Sequence, residues 1–294
     1  MLPGGRLLVC GVGLIGGSVA AGLREQGAET IIGVDTDRQA LAAAQRAGLI
    51  DATGWPDDLG PTDLVLIAVP TLTVASVLAE LWDGERGVLA GGAVVTDVAS
   101  VKQSVLDAAL ASCGRMPANL VPGHPIAGSE RSGVAAARAD LFRGHRVILT
   151  PVEQTAAAAI DRVRAAWEAL GAEVCTMPVA DHDRILAMTS HLPHLLAFAL
   201  VDTLGRVPEH EAVFRFAAGG FRDFTRIASS DPVMWSDIFA ANAEAVGGIL
   251  DALERELDEL RALLDAGDRE GLRSIFTRAK ALRDTHVIGA SSRD

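Results

Sequence analysis

The sequence contains no tyrosine, and Lys102 and Lys280 are its only lysines. Acid–base chemistry must therefore rest on histidine, carboxylates or cysteine far more than on phenol or amine. Cysteine is also scarce. Cys10, Cys113 and Cys175 form neither a CxxC pair nor a zinc spacing, so a disulfide scaffold and a structural zinc site are both excluded. The three are read as reduced, mostly buried thiols of a cytoplasmic protein. Positive charge is in deficit. A net charge of −12 argues against nucleic acid or an anionic membrane surface as partner. It also means that a small anionic substrate would need a local cluster of Arg and His. No stretch reads as long and apolar enough to span a bilayer. The Leu7–Leu23 run lacks the basic lead and cleavage site of a signal peptide. Repeats and low-complexity segments are absent, and the polar tail GASSRD is expected to fray.

What is present is an ordinary globular balance of 49% hydrophobic and 22% charged residues over 294 positions, enough for one large domain or two of usual size. From Arg6 to about Thr176, short β-rich runs alternate with Ala-, Arg- and Glu-rich helical stretches. The runs are Leu7–Cys10, Thr30–Val34, Leu64–Val69, Ala93–Val98, Asn119–Pro122, Arg146–Leu149 and Glu173–Thr176. Such alternation predicts an α/β fold, a doubly wound and mainly parallel sheet with helices on both faces. After Met177-Pro178 the strand signals stop. Helices are expected over Asp181–Leu204, Glu209–Gly219, Met234–Leu264 and Arg269–Arg283. The chain thus divides into a nucleotide-binding domain, 1–178, and an all-α domain, 179–294. The long helix of the second suggests packing against a copy of itself, and hence a homodimer; packing back on its own domain is the alternative.

The stretch GVGLIG, Gly11 to Gly16, fits G-x-G-x-x-G. A strand precedes it, a helix follows, and a second strand ends at Asp35. That context turns a weak motif into a Rossmann-type dinucleotide site. Gly11 permits the turn, Gly13 lets the pyrophosphate approach the backbone, and Gly16 lets helix and strand pack closely. Val12, Leu14 and Ile15 complete the loop, with phosphates at the helix N-terminus. Asp35 is placed to accept from ribose hydroxyls and would repel a 2′-phosphate, which favours NAD over NADP. The competing account is a structural turn with Asp35 as a helix cap. Val69 and Pro70, at the end of a later strand, lie where the cofactor normally packs.

The polar residues at the strand ends carry the chemistry. Ser100 and Lys102 follow VVTDVA. His124 lies in a loop between Gly123 and Pro125 at the sheet's active edge, where a catalytic role outweighs a mere backbone cap. Ser190, His191 and His194 belong to TSHLPH. His191 and His194, spaced three apart, share a helix face; without a third ligand at suitable spacing no metal site is expected. GGFRDFTRIASSDPVMW contributes Arg222, Asp223, Arg226 and Trp235, either an anion site or a surface ion-pair cluster.

In the order GVGLIGGS, DVASVK, GHPIAGSERSG, TSHLPHLLAFALVDTL and GGFRDFTRIASSDPVMW, these segments resemble the prephenate/arogenate dehydrogenase family of tyrosine biosynthesis, over nearly the whole chain. The resemblance implies hydride transfer to NAD+ from the ring carbon bearing the 4-hydroxyl, coupled to loss of the ring carboxylate as CO2. It implies that His124 accepts the hydroxyl proton and Ser100 hydrogen-bonds that hydroxyl or the histidine. Arg226 would bind a substrate carboxylate and His194 the substrate side chain. Glu130, Ser190, His191 and Asp223 would form the surrounding polar network, with Arg222 or Arg131 adding charge. No separate regulatory domain is expected. Prephenate and arogenate stay open as substrates.

Two rivals remain. A β-hydroxyacid dehydrogenase or imine reductase would share the layout, but the former needs a lysine early in its helical domain, and neither Lys102 nor Lys280 fits. A non-catalytic NAD-sensing module would keep the glycines and Asp35 but has no reason to keep His124, Ser100 and Arg226 together.

Overall fold

A computed structural model describes residues 5–82, 92–128 and 131–288. Its first part runs β1 (Leu7–Cys10), α1 (Leu14–Glu25), β2 (Ile31–Val34), α2 (Arg38–Arg46), β3 (Ala52–Thr53), β4 (Leu64–Ile67), α3 (Val74–Leu81), β5 (Val94–Asp97), α4 (Lys102–Cys113) and β6 (Leu120–Val121). The strands form a six-stranded parallel sheet in the order β3-β2-β1-β4-β5-β6. Its period-two geometry explains the unbroken apolar runs. Leu7, Val9, Leu64 and Leu66 enter one core layer, and Leu8, Cys10, Val65 and Ile67 enter the other. A strand covered on both faces has no polar side to show. The strand order reverses between β1 and β4, and the crevice at the carboxyl ends there is where ligands gather in such sheets.

The remaining strand runs do not join this sheet. β7 (Gly123–Pro125), β8 (Arg146–Leu149) and β9 (Glu173–Thr176) make a separate three-stranded sheet, with α5 (Ala157–Ala169) between the last two in sequence. β7 pairs antiparallel with β8, and His124 stands opposite Ile148. The loop expected around His124 is therefore an edge strand. A three-residue Gly-His-Pro strand has no sequence signature; tertiary pairing makes it, and Pro125 is tolerated because the strand lies at an edge. Cys10 is buried and Cys113 and Cys175 are half-buried, all as free thiols.

Helices follow: α6 (Val179–Leu186), a π-helical turn over Ala187–His191, α7 (Leu192–Gly205), α8 (His210–Arg215), α9 (Gly219–Thr225), a tight turn over Arg226–Ser229, α10 (Pro232–Ala241), α11 (Ala243–Ala266) and α12 (Arg269–Arg283). The expected Met234–Leu264 helix breaks at Asn242, which leaves helical geometry with its side chain buried. The first compact unit is Met1–Ala243 and the second Glu244–Asp294. Contrary to expectation, one helix, Val179–Gly205, is long and apolar enough to cross a membrane by length and composition. Its N-terminal half, however, contributes buried polar residues to the site described next.

Candidate functional site

The glycine corner follows from sterics. Gly11 has φ +98°, and a Cβ there would lie 2.4 Å from the Ala68 carbonyl oxygen. A Cβ at Gly16 would meet the Gly11 carbonyl oxygen at 2.0 Å. At Gly13 the opposite holds: nothing lies within 4 Å of where its Cβ would be. This open space fronts the N-terminus of α1, where Gly13 is the cap residue and no side chain satisfies the first amides. Open approach and unsatisfied N–H groups are what a pyrophosphate needs. Asp35 accepts from the Val12 amide (2.8 Å) and the Asp37 amide (2.9 Å), one on each oxygen. The cap of α2 is Asp37, which accepts from Gln39 and Ala40, so capping does not account for Asp35. Each Asp35 oxygen keeps a lone pair for ribose hydroxyls. Val69 abuts the Gly11 turn. These residues fit a bound dinucleotide.

Around His124 a second, denser arrangement forms. Its Nδ1 lies 3.0 Å from His182 Nε2, and His182 Nδ1 lies 2.7 Å from Asp183 Oδ1. Asp183 also accepts from the Lys102 and Gln103 amides, both at 2.8 Å. A carboxylate on α6 thus caps α4, whose own cap residue, Val101, has no polar side chain. The Lys102 ammonium is fully buried, donates to the Gly123 carbonyl at 2.6 Å and pairs with Asp97. Asp97 in turn accepts from the Gly123 amide. The residue preceding His124 is therefore clamped on both sides. Asn242 donates to the Asp183 carbonyl (2.9 Å) and lies 3.1 Å from His191 Nδ1.

Electrostatics keep the candidate base neutral. Burial, then the charges of His182, Lys102 and His191, hold His124 well below its usual range. Burial also brings His191 down to about 4. For Asp183, burial pushes upward, but hydrogen bonds from His182 and the two amides hold the carboxyl below its ordinary value. Burial likewise lowers the Lys102 ammonium against the opposing pull of Asp97.

A more open end lies around His194. Its ring stacks on Trp235 with centroids 3.6 Å apart, and its Nδ1 bonds the Ser190 carbonyl. Burial lowers His194, and the charge of Arg226 lowers it further, so the guanidinium lies within electrostatic reach. Arg222, Asp223 and Arg226 are all exposed.

Of the sequence candidates, His124 and His191 enter the buried network. Ser100 lies half-buried in the β5–α4 turn beside it, with no hydrogen bond to His124 among the described residues. His194, Ser190 and Arg226 share the open end. Asp223 makes no hydrogen bond to either group among the described residues, and Glu130 lies outside them. Sequence reasoning missed His182, Asp183, Asp97 and Asn242. The available signals were the doublet His182-Asp183 at a helix start and a lone early lysine in a lysine-poor chain.

A parallel sheet, a glycine-cornered helix terminus at its switch point and a half-buried neutral imidazole define the class: an NAD-dependent oxidoreductase. Comparisons with known proteins narrow it. Residues 19–176 match the prephenate dehydrogenase nucleotide-binding domain, and residues 178–278 match the prephenate dehydrogenase dimerization domain. The chain is 36% identical to prephenate dehydrogenase of Bacillus subtilis, over 95% of this chain and 75% of that protein. It is 33% identical to cyclohexadienyl dehydrogenase of Zymomonas mobilis, over 96% and 97%. The structure of Aquifex aeolicus prephenate dehydrogenase with hydroxyphenyl propionate and NAD+ superposes with a TM-score of 0.86 at 35% identity, covering 96% of this chain and 98% of that one. This chain belongs to the prephenate dehydrogenase family.

Proposed function

We propose that the chain catalyses the NAD+-dependent oxidative decarboxylation of prephenate to 4-hydroxyphenylpyruvate, a step of tyrosine biosynthesis. The observation that carries this reading is His124: neutral, clamped through Gly123 and set at an edge strand. NAD+, when bound, accepts the hydride from the ring carbon bearing the hydroxyl. The loop Gly11, Val12, Gly13, Leu14, Ile15 and Gly16 holds the pyrophosphate, Asp35 the ribose, and Val69 and Pro70 one side of the cofactor. The Asp35 carboxylate disfavours a 2′-phosphate, hence NAD over NADP.

His124 removes the hydroxyl proton as the carbon becomes carbonyl-like, and Ser100 orients that hydroxyl. Prephenate carries two carboxylates, and in a chain of net charge −12 they need local cations. Arg226 grips one by bidentate geometry. His194 holds the side chain, with Ser190, His191, Glu130 and Asp223 around it. Aromatisation of the ring drives loss of CO2.

We assign nucleotide binding to 1–178 and substrate binding and dimerisation to 179–294. The dimerization-domain match supports a homodimer, as does the apolar helix Val179–Gly205, of whose most apolar stretch only 22% is buried within the chain. We read the location as cytoplasmic, in keeping with three free cysteines. A second reading, arogenate or dual specificity, is favoured by the likeness to the Zymomonas cyclohexadienyl enzyme. The test is absorbance at the reduced-nicotinamide band, with prephenate or arogenate and NAD+ or NADP+. Signal with prephenate and NAD+ is expected; a flat trace in all four mixtures would refute an enzymatic role.

A further inference from the structure

We infer that Asp183, acting through His182, fixes the tautomer of His124, leaving its Nε2 as the bare base and its Nδ1 protonated. This rests on the reading of His124 as the base and adds what makes it one. Asp183 is the one member of this chain of contacts whose hydrogen-bonding role is unambiguous. An ionised carboxylate accepts and cannot donate. Asp183 is held in that form by three donors: the amides of Lys102 and Gln103, and the His182 ring. His182 Nδ1 must therefore carry a proton. We take the resting His182 ring as neutral, with that single proton, so its Nε2 is an acceptor. It faces His124 Nδ1 at 3.0 Å, and that nitrogen must be the donor. His124 Nε2 is then left with a lone pair, directed away from the relay. In water the opposite tautomer, protonated at Nε2, predominates; its only lone pair would be on Nδ1, which here faces His182.

The same chain stabilises the product of proton transfer. When His124 Nε2 gains the substrate proton, the Nδ1 proton can pass to His182 Nε2. That leaves His124 neutral and His182 as an imidazolium against the Asp183 carboxylate. One N–H bond forms and one breaks at each ring. The Asp183 carboxylate lies against His182 and not against His124, so it favours the charge on the inner ring. His182 and Asp183 are thus positioning residues; neither needs to touch substrate.

His191 supplies an internal control. The Asn242 amide is oriented by donation to the Asp183 carbonyl, so the same nitrogen also donates to His191 Nδ1. His191 must then hold its proton on Nε2, opposite to His124.

The test is the ring-nitrogen signature of the 15N-histidine-labelled full chain in long-range 15N–1H spectra near neutral pH, with signals assigned by loss in His124→Gln, His182→Gln and His191→Gln. The expected pattern is a protonated Nδ1 at His124 and His182 and a protonated Nε2 at His191. In His182→Leu, His124 should revert to the Nε2-protonated form, and kcat with prephenate should fall by about 10². His182→Gln, whose amide oxygen can accept from Nδ1, should recover part of both. A wild-type His124 protonated at Nε2, or one that keeps its Nδ1 proton in His182→Leu, would overturn the inference. The ring assignment is read without turnover, so a wild-type chain inert toward prephenate would sink the proposed reaction and leave this question separately answered.

Discussion

The two ends of the candidate site are built on opposite plans. At the base end, His182, Lys102 and Asp97 are fully buried and tied to one another, to Gly123 and to Asp183 by interlocking bonds. At the proposed anion end, Arg222, Asp223 and Arg226 are exposed on short elements, and His194 stacks on Trp235. The difference fits the roles proposed for the two ends. A general base needs one tautomer and one position, which interlocking buried bonds enforce. A carboxylate binder must admit and release an anion, and a guanidinium keeps its charge and its planar geometry while exposed. The base end is therefore overdetermined by this chain's own contacts. The anion end falls within the segment matching the dimerization domain.

The contrast can be broken first at its rigid end. His124→Ala should lower kcat/KM by about 10³ while NAD+ affinity, read by titration calorimetry, stays within a factor of about two. Gly11→Ala should show the reverse dependence. A Cβ at φ +98° facing the Ala68 carbonyl costs of order 1–3 kcal/mol, and NAD+ affinity should drop by at least about tenfold. Arg226→Lys sharpens the other end: KM for prephenate should rise about tenfold with a smaller change in kcat, because an ammonium lacks the bidentate fork.

Two stability effects distinguish the ends further. Asn242→Leu leaves the Asp183 carbonyl and His191 Nδ1 without their donor and should cost about 2 kcal/mol in denaturant unfolding. The pH effect is milder near neutrality. His124, His191 and His194 all bind protons less readily folded than unfolded. The unfolded chain therefore takes up more protons as pH falls below about 6.5, and stability declines from there. For His191, with a folded value of about 4, the loss reaches about 3 kcal/mol once pH falls to that value. Melting temperature should be flat from pH 7 to 8 and drop steadily from 6.5 toward 4. His191→Gln should flatten part of that slope.

Much of this was legible in the residues. Leu7–Cys10 and Leu64–Ile67 are buried on both faces, and such strands write themselves as unbroken apolar runs. Glycine positions are forced by backbone approach, so Gly11, Gly13 and Gly16 could be read one by one. What stayed hidden depends on partners distant in sequence. Gly123–Pro125 becomes a strand only because Val147–Leu149 pairs with it. His182 matters because the fold brings it to His124, 58 positions away. The break at Asn242 sits inside a continuous helical pattern, and its reason, a buried bond to the Asp183 carbonyl, is tertiary. Lys102 could be placed just past a strand end from the sequence, but its bond to the Gly123 carbonyl, 21 positions away, could not.

The most direct test of the account is NADH formation from prephenate and NAD+ by the wild-type chain and by His124→Ala, measured side by side at saturating cofactor. The account predicts robust turnover in the first and a loss of about 10³ in the second. Equal rates in the two would contradict it, because the proposed base at the sheet edge would then have no part in the chemistry.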